Sequence, residues 1–414
     1  MLKTRITRFV ALVAAAAVAT TLVVVPGALA AHRSASATQF VVWTDSYRKA
    51  AVDKIADQWG AAHGLNVTTV VKNFQDMRDN LKNVSTANAP DVMLGAHDWT
   101  GELAANGLVV PILLRKTVKA QFPKYSLNAL SYGGKLYGVP TQLENVGLVV
   151  NTRAVKVPKT FAQLEREALA YKRKGADNIA IAVPQGTNGD AYHMYPFFSG
   201  LCGYVFAQSK TGALNPRKLG VANKKFLKNA KLIDKWNREG LIDSKVDYGT
   251  AKNAFLHSKA AFWITGPWET DALKSSGIRF KIIQMPKINC RSVPFLGVQG
   301  FFVTKFAAAH GVSSLAKDLV TNYMSKPLGQ YDLAIANSRY PANRLAGKRV
   351  HDAILAQFGR AGAGGVPMPN IPEMGSVWAD LAGAWVKSTK GAGATPARAA
   401  FVAAAKAIAA KING

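Results

Sequence analysis

LSYGGKLYGVPTQLENVGLVVN, residues Leu130–Asn151, decides how the rest of the chain is read. Two short aromatic and aliphatic runs flank Gly133-Gly134, and paired glycines accept the positive φ values of a two-residue hairpin turn that branched residues resist. The reading is a hairpin. After Pro140, the run Val146–Val150 is nearly continuous in apolar residues, as in a strand covered on both faces, yet Glu144 stands just before it. A carboxylate buried without hydrogen bonds either costs several kcal/mol or takes up a proton, so Glu144 is expected to face a polar cleft. Thr160-x-x-Gln163 then opens a helix as a capping box. These residues predict a strand that crosses between two lobes, with Glu144 pointing into the space between them.

At 414 residues the chain exceeds one ordinary core, and two lobes are expected. Lys3, Arg5 and Arg8 precede the apolar run Phe9–Val25, and Ala28-Leu29-Ala30 has the small-x-small pattern of a cleavage site, so residues 1–30 read as an export signal. No cysteine stands at that site to take a lipid. The expected location is therefore the periplasm or the outer face of the cell envelope, without a lipid anchor from this signal. The two cysteines are Cys202 and Cys290; a bridge and two separate buried thiols both fit. The balance of 52 Lys+Arg against 24 Asp+Glu gives +28, and removal of Lys3, Arg5 and Arg8 takes +28 to +25. Such a field attracts nucleic acid or anionic membrane. The longest basic run is only Lys172-Arg173-Lys174, however, and the remainder is scattered, so no nucleic-acid partner is expected. A scarcity of carboxylates leaves fewer native pairings to lose on acidification, which suggests an acidic habitat; folding that collapses between neutral pH and about pH 4 would contradict this.

Taken in order, Phe40–Trp43, Val67–Val71 and Asp91–Leu94 read as strands separated by helical patterns, which predicts in each lobe a mostly parallel sheet flanked by helices. Ligands meet such sheets at the loops after strands, here Thr44-Asp45 and His97-Asp98-Trp99. The pattern restarts beyond the crossing strand: helix Phe161–Lys174, strand Ile179–Val183, helix Lys225–Glu239, then strand Ala260–Thr265 running into Gly266-Pro267-Trp268-Glu269. Phe295–Thr304 is expected to cross back and Arg339–Ala342 to cross a third time. The first lobe would comprise 31–143 and 299–340, the second 144–298 and 341–414.

Phosphate-loop, HExxH, GxSxG and CxxC signatures are missing, and no catalytic residue, metal or cofactor is expected. Asp98, Glu144 and Glu269 keep open a glycan-acting hydrolase, which needs two carboxylates across one sugar bond. Trp99, Tyr192, Tyr195, Tyr248, Trp268 and Trp378 stand at loops or helix starts beside polar residues. Any one such ring is more often core than ligand contact. Trp268, held in a Gly-Pro turn, and Trp378, after a proline-rich approach, are the two best placed to face a cleft. Flat rings pack on the C–H faces of pyranoses while carboxylates take the hydroxyl hydrogen bonds, a pairing suited to neutral sugars. The same platform stacks bases of single strands, but without clustered cations beside it.

Ala89-Pro90-Asp91 leading to Ala96-His97-Asp98, Gly134-Lys135-Leu136 through Pro140 and Glu144, Thr265-Gly266-Pro267-Trp268, and Met368-Pro369-Asn370-Ile371-Pro372-x-Met374 ahead of Trp378 carry a resemblance over nearly the whole mature chain. It resembles the maltose/maltodextrin-binding proteins of sugar ABC importers, within extracellular solute-binding family 1. The resemblance implies a two-lobe periplasmic-binding-protein α/β fold with three hinge crossings, closure on maltose or a maltodextrin-type oligosaccharide, docking on ABC transporter permease subunits, and a monomer. It implies that Asp98 and Glu144 hydrogen-bond sugar hydroxyls, that Trp268, Trp378 and Tyr192 stack on rings with Asp190 nearby, that Tyr248 serves an outer subsite, and that Asp45 lies in the polar loop after the first strand. Gly95 stands where those proteins have tryptophan, Trp99 where they have arginine, and Ala382 in place of another sugar-contacting arginine, so Trp99 is a candidate substitute for the missing ring.

Overall fold

The computed structural model describes residues 39–74, 76–209 and 212–414; the expected export signal lies outside them. Seven strands form one sheet. Phe40–Thr44 lies between Val67–Val71 and Val92–Ala96 and is parallel to both. The long Phe295–Val303 strand then pairs antiparallel with Val92–Ala96 on one side and with Gly138–Glu144 on the other. Tyr340–Pro341 joins antiparallel to Gly138–Glu144, and Val366–Pro367 joins the start of Phe295–Val303 in parallel. A second sheet has Gly147–Asn151 at its centre, antiparallel to Phe262–Thr265 and to Phe280–Ile283.

The large sheet is thus mixed and the small one antiparallel, a correction to the expected mostly parallel pairing. Parallel pairs arise where strand, helix and strand alternate; the crossing segments enter a sheet from its other end and so run against their neighbours. Gly138–Glu144 belongs to the large sheet and Gly147–Asn151 to the small one, with only Asn145-Val146 between. One core gathers Phe40, Trp43, Trp59, Leu94, Phe301 and Phe302. Another gathers Leu148, Phe197, Phe198, Trp236, Phe262 and Trp385. Burial of rings this large stabilises each core by roughly 1.5–3 kcal/mol per side chain.

Local chemistry explains several elements. Ser131–Tyr132 pairs with Lys135–Leu136 across Gly133 and Gly134, whose φ values are +54° and +76°. Thr160 Oγ1 accepts the Gln163 N–H (3.2 Å) while Gln163 Oε1 accepts that of Lys159 (3.0 Å), starting the helix Phe161–Lys172. The expected helix over 225–239 is two, Lys224–Asn229 capped by Asn223, and Lys231–Glu239 ended by Gly240. Ile179–Val183 is not a full strand; it bridges the neighbouring strand region only at Ile179–Ala260 and Ala182–Trp263.

Of the two readings of the cysteines, the structure has the bridge: Cys202 and Cys290, 88 residues apart, are joined with their Cα atoms 5.2 Å apart. Closing so long a loop restricts the unfolded chain more than the folded one. Replacing both by serine should lower unfolding stability by about 2–4 kcal/mol, read as a lower urea midpoint; an unchanged midpoint would mean that the bridge does not constrain the unfolded chain.

Candidate functional site

The three crossings meet in one polar network. Glu144, at the end of the first crossing strand, takes a close ion pair from Arg339 Nε on the third, and accepts Gln299 Nε2–H from the second at 3.1 Å. Gln299 Oε1 in turn accepts from Arg48, whose Nε–H also reaches Gln142 Oε1 at 2.7 Å. Arg48 is fully buried and ion-paired to Asp45, which also accepts the Arg48 backbone N–H at 3.0 Å. Burial, with Arg339 adding repulsion, pulls the Arg48 guanidinium down to about 9, against Asp45 and Glu144. Gly297 makes room for this arrangement, because a Cβ there would come within 2.6 Å of the Glu144 side chain.

A wall of rings adjoins the network. The Arg339 guanidinium lies 5.2 Å over the Trp268 ring. Trp268 neighbours Tyr192 (6.3 Å between centroids), Tyr192 stacks toward Phe295 (6.3 Å), and Phe295 meets the edge of Trp378 (5.8 Å). Trp268 Nε1–H donates to the Tyr248 hydroxyl at 2.6 Å, and that hydroxyl donates to Glu269, which is paired with Lys252 at 2.9 Å. The indole of Trp268 folds back over Gly266, where any Cβ would sit 2.1 Å from it. The Tyr192 hydroxyl is buried with no hydrogen-bond partner, and burial, then the nearby Glu144 charge, raises its pKa well above the ordinary phenol value. Buried polar groups are rarely left without a partner, so this hydroxyl stands out among the residues of the cluster.

Asp98 and Trp378 join the two cores, since Trp378 Nε1–H donates to Asp98 Oδ2 at 3.2 Å. The neighbouring His97 is wholly buried: its Nδ1 accepts the Val298 N–H (3.1 Å), which leaves the proton on Nε2 for the Met368 carbonyl (3.0 Å). His97 is therefore a structural tie, with both ring nitrogens occupied.

Of the residues expected from sequence, Asp98, Glu144, Tyr192, Tyr248, Trp268 and Trp378 are brought into this connected set. Asp45 stands one step behind, tied to Arg48. Asp190 caps the helix Ala191–Gly200 by accepting the His193 N–H (2.9 Å) and pairs with the His193 ring (2.6 Å). Burial would raise its carboxyl, but the His193 charge and hydrogen bonds outweigh it and hold the group below the usual range. Trp99 is not brought to the cluster. It is 6 % exposed and packs on Phe74 in the first core, lying over the space left by the absent side chain of Gly95. Arg48, Gln142, Gln299 and Arg339 had no local signal in so basic a chain; the one clue was that Glu144 needed partners.

Comparison with known proteins adds an independent finding. A family described as bacterial extracellular solute-binding protein matches residues 54–351. A galactooligosaccharide-binding protein of Bacillus subtilis is 26% identical over 360 residues, covering 84% of each chain. Maltodextrin-binding protein MdxE of the same organism is 28% identical over 312 residues, covering 70% of each. The solved structure of Thermus thermophilus maltotriose binding protein with maltotriose superimposes with a TM-score of 0.78 at 25% identity, covering 90% of this chain and all of that one. The architecture is accordingly the two-lobe fold of periplasmic sugar-binding proteins.

His97 and Asp98 respond to pH in opposite senses. Burial pushes the Asp98 carboxyl from 3.8 up to about 6, so the folded chain keeps a proton that the unfolded chain has lost, and stability falls as pH rises through that window. Burial pulls His97 from 6.5 down to about 4, so the folded chain refuses a proton, and stability falls as pH drops through nearly the same window. The two effects largely offset, each on the order of 3 kcal/mol. Asp98→Asn should therefore be more stable than the parent at neutral pH and lose that advantage by about pH 4. Thermal midpoints across this range check it, and parallel profiles for the two proteins would contradict it.

Proposed function

The chain belongs to the bacterial extracellular solute-binding protein family, and from that premise we propose that it is an exported receptor that closes on a maltodextrin-type oligosaccharide and delivers it to the permease of an ABC transporter. It acts as a monomer without a catalytic step and without a lipid anchor from its signal. The lobes are taken as 31–143 with 299–340, and 144–298 with 341–414. The observation that carries the reading is the run of rings Trp268, Tyr192, Phe295 and Trp378 beside Glu144 and Asp98, where the two cores meet. Indole and phenol faces take the apolar faces of successive sugars, the carboxylates and the Tyr192 hydroxyl take the sugar hydroxyls, and residues from both lobes contribute. Closure then follows from ligand contacts that only the closed form completes.

In the hydrolase reading, free carboxylates would have to flank a sugar bond, whereas Glu144 and Glu269 are each paired to a cation and Asp98 accepts from Trp378. A second ligand does have an observation behind it: the galactooligosaccharide-binding relative matches at 26% over 84% of this chain, against 28% over 70% for the maltodextrin-binding one. Titrating tryptophan fluorescence with maltotriose, a cyclodextrin, trehalose, xylo-oligosaccharides and galacto-oligosaccharides decides between them. Maltotriose should saturate the signal, and Trp268→Ala or Trp378→Ala should each weaken it by about 1–3 kcal/mol. Tighter binding of galacto-oligosaccharides would move the ligand to that class. Affinity unchanged in both variants would remove the site, and release of reducing ends from maltodextrin would restore the enzyme.

A further inference from the structure

The sugar site leaves the chain's basic excess without a use, and that excess is unevenly placed. Residues 144–298 and 341–414 carry 33 Lys and Arg against 14 Asp and Glu, whereas 39–143 and 299–340 carry 15 against 10. Within the basic part, no acid occurs from Ala191 to Ile233, which holds seven Lys and Arg, nor from Ala272 to Val298. The Cys202–Cys290 bridge joins these two acid-free stretches. Asn289 Nδ2–H donates to Asn229 Oδ1 at 2.6 Å and seats the second stretch on the helix Lys224–Asn229 of the first. They meet at a cavity of about 630 Å³ with Lys225 and Arg291 on its border and Tyr204, itself 41 % exposed, on its wall. Arg217, Lys218, Lys224, Lys225, Lys228 and Lys231 are all exposed, and none makes an ion pair among the described residues.

We propose that this face seats the protein on an anionic lipid surface, whatever its sugar. Lysines on flexible stems are attracted to an anionic leaflet when close to it, and the attraction fades over a Debye length of about 10 Å at 0.1 M salt. The nearest face therefore decides the orientation, and an exposed tyrosine among those lysines suits the headgroup region. A threaded polyanion fits less well. It needs a track of cations and stacking rings along one groove, whereas two cations border this cavity and the others spread over a hairpin edge and two helices.

The test is flotation of the full mature chain with vesicles of phosphatidylcholine, with and without phosphatidylglycerol. Binding should require phosphatidylglycerol and vanish at high salt. Lys224→Glu/Lys225→Glu/Lys228→Glu should reduce partition about tenfold or more. Arg115→Glu/Lys116→Glu/Lys119→Glu, an equal charge change on the other lobe, should reduce it much less. The corresponding glutamine triple at 224, 225 and 228 should show an intermediate loss, and an unchanged thermal midpoint excludes misfolding. Failure to float, equal loss from both glutamate triples, or binding to inorganic polyphosphate with none to the vesicles would each overturn the proposal.

Discussion

The ion pair between Glu144 and Arg339 is the constraint from which the rest of the site follows. Each partner sits on a different crossing, and Gln299 on the remaining crossing donates to the same carboxylate. Removing two charges from water costs more than a loose pairing returns, so the arrangement persists only with its geometry complete. Arg48 completes it from behind, linking Asp45, Gln142 and Gln299 with no exposure of its own. Three strands are thereby fixed relative to one another at the point where the lobes must pivot. Glu144 keeps a defined direction, because Gly297 leaves no side chain to displace it.

That pivot also positions the rings. Arg339 rests on Trp268, and Trp268 is held at its indole nitrogen by the Tyr248 hydroxyl. From there Tyr192 and Phe295 lead to Trp378, whose indole nitrogen reaches across to Asp98. The rings are therefore held against one another and by hydrogen bonds, with carboxylates beside them, a combination suited to a chain of neutral sugars. The opposed responses of His97 and Asp98 to acid largely cancel at the seam between the two cores.

Much of the local structure was legible because its causes are local. Paired glycines at 133 and 134, the Thr160 cap and the Val67–Val71 strand each depend on a few adjacent residues. The sense of strand pairing was not, because it depends on which end of a sheet a crossing segment enters. Nor were Arg48 and Arg339: among 52 basic residues nothing nearby marks the ones that are buried. Trp99 and Trp268 have similar sequence surroundings, an indole just after a strand. Phe74, and the space beside Gly95, draw the first into the core, while the Gly266-Pro267 turn keeps the second at the cluster.

The most direct measurement is a crystal structure with maltotriose bound. The account predicts sugar rings in contact with the faces of Trp268 and Trp378 while Glu144, Asp98 and the Tyr192 hydroxyl take hydroxyl hydrogen bonds. Maltotriose seated instead in the cavity beside Cys202 and Cys290, with that cluster untouched, would contradict it.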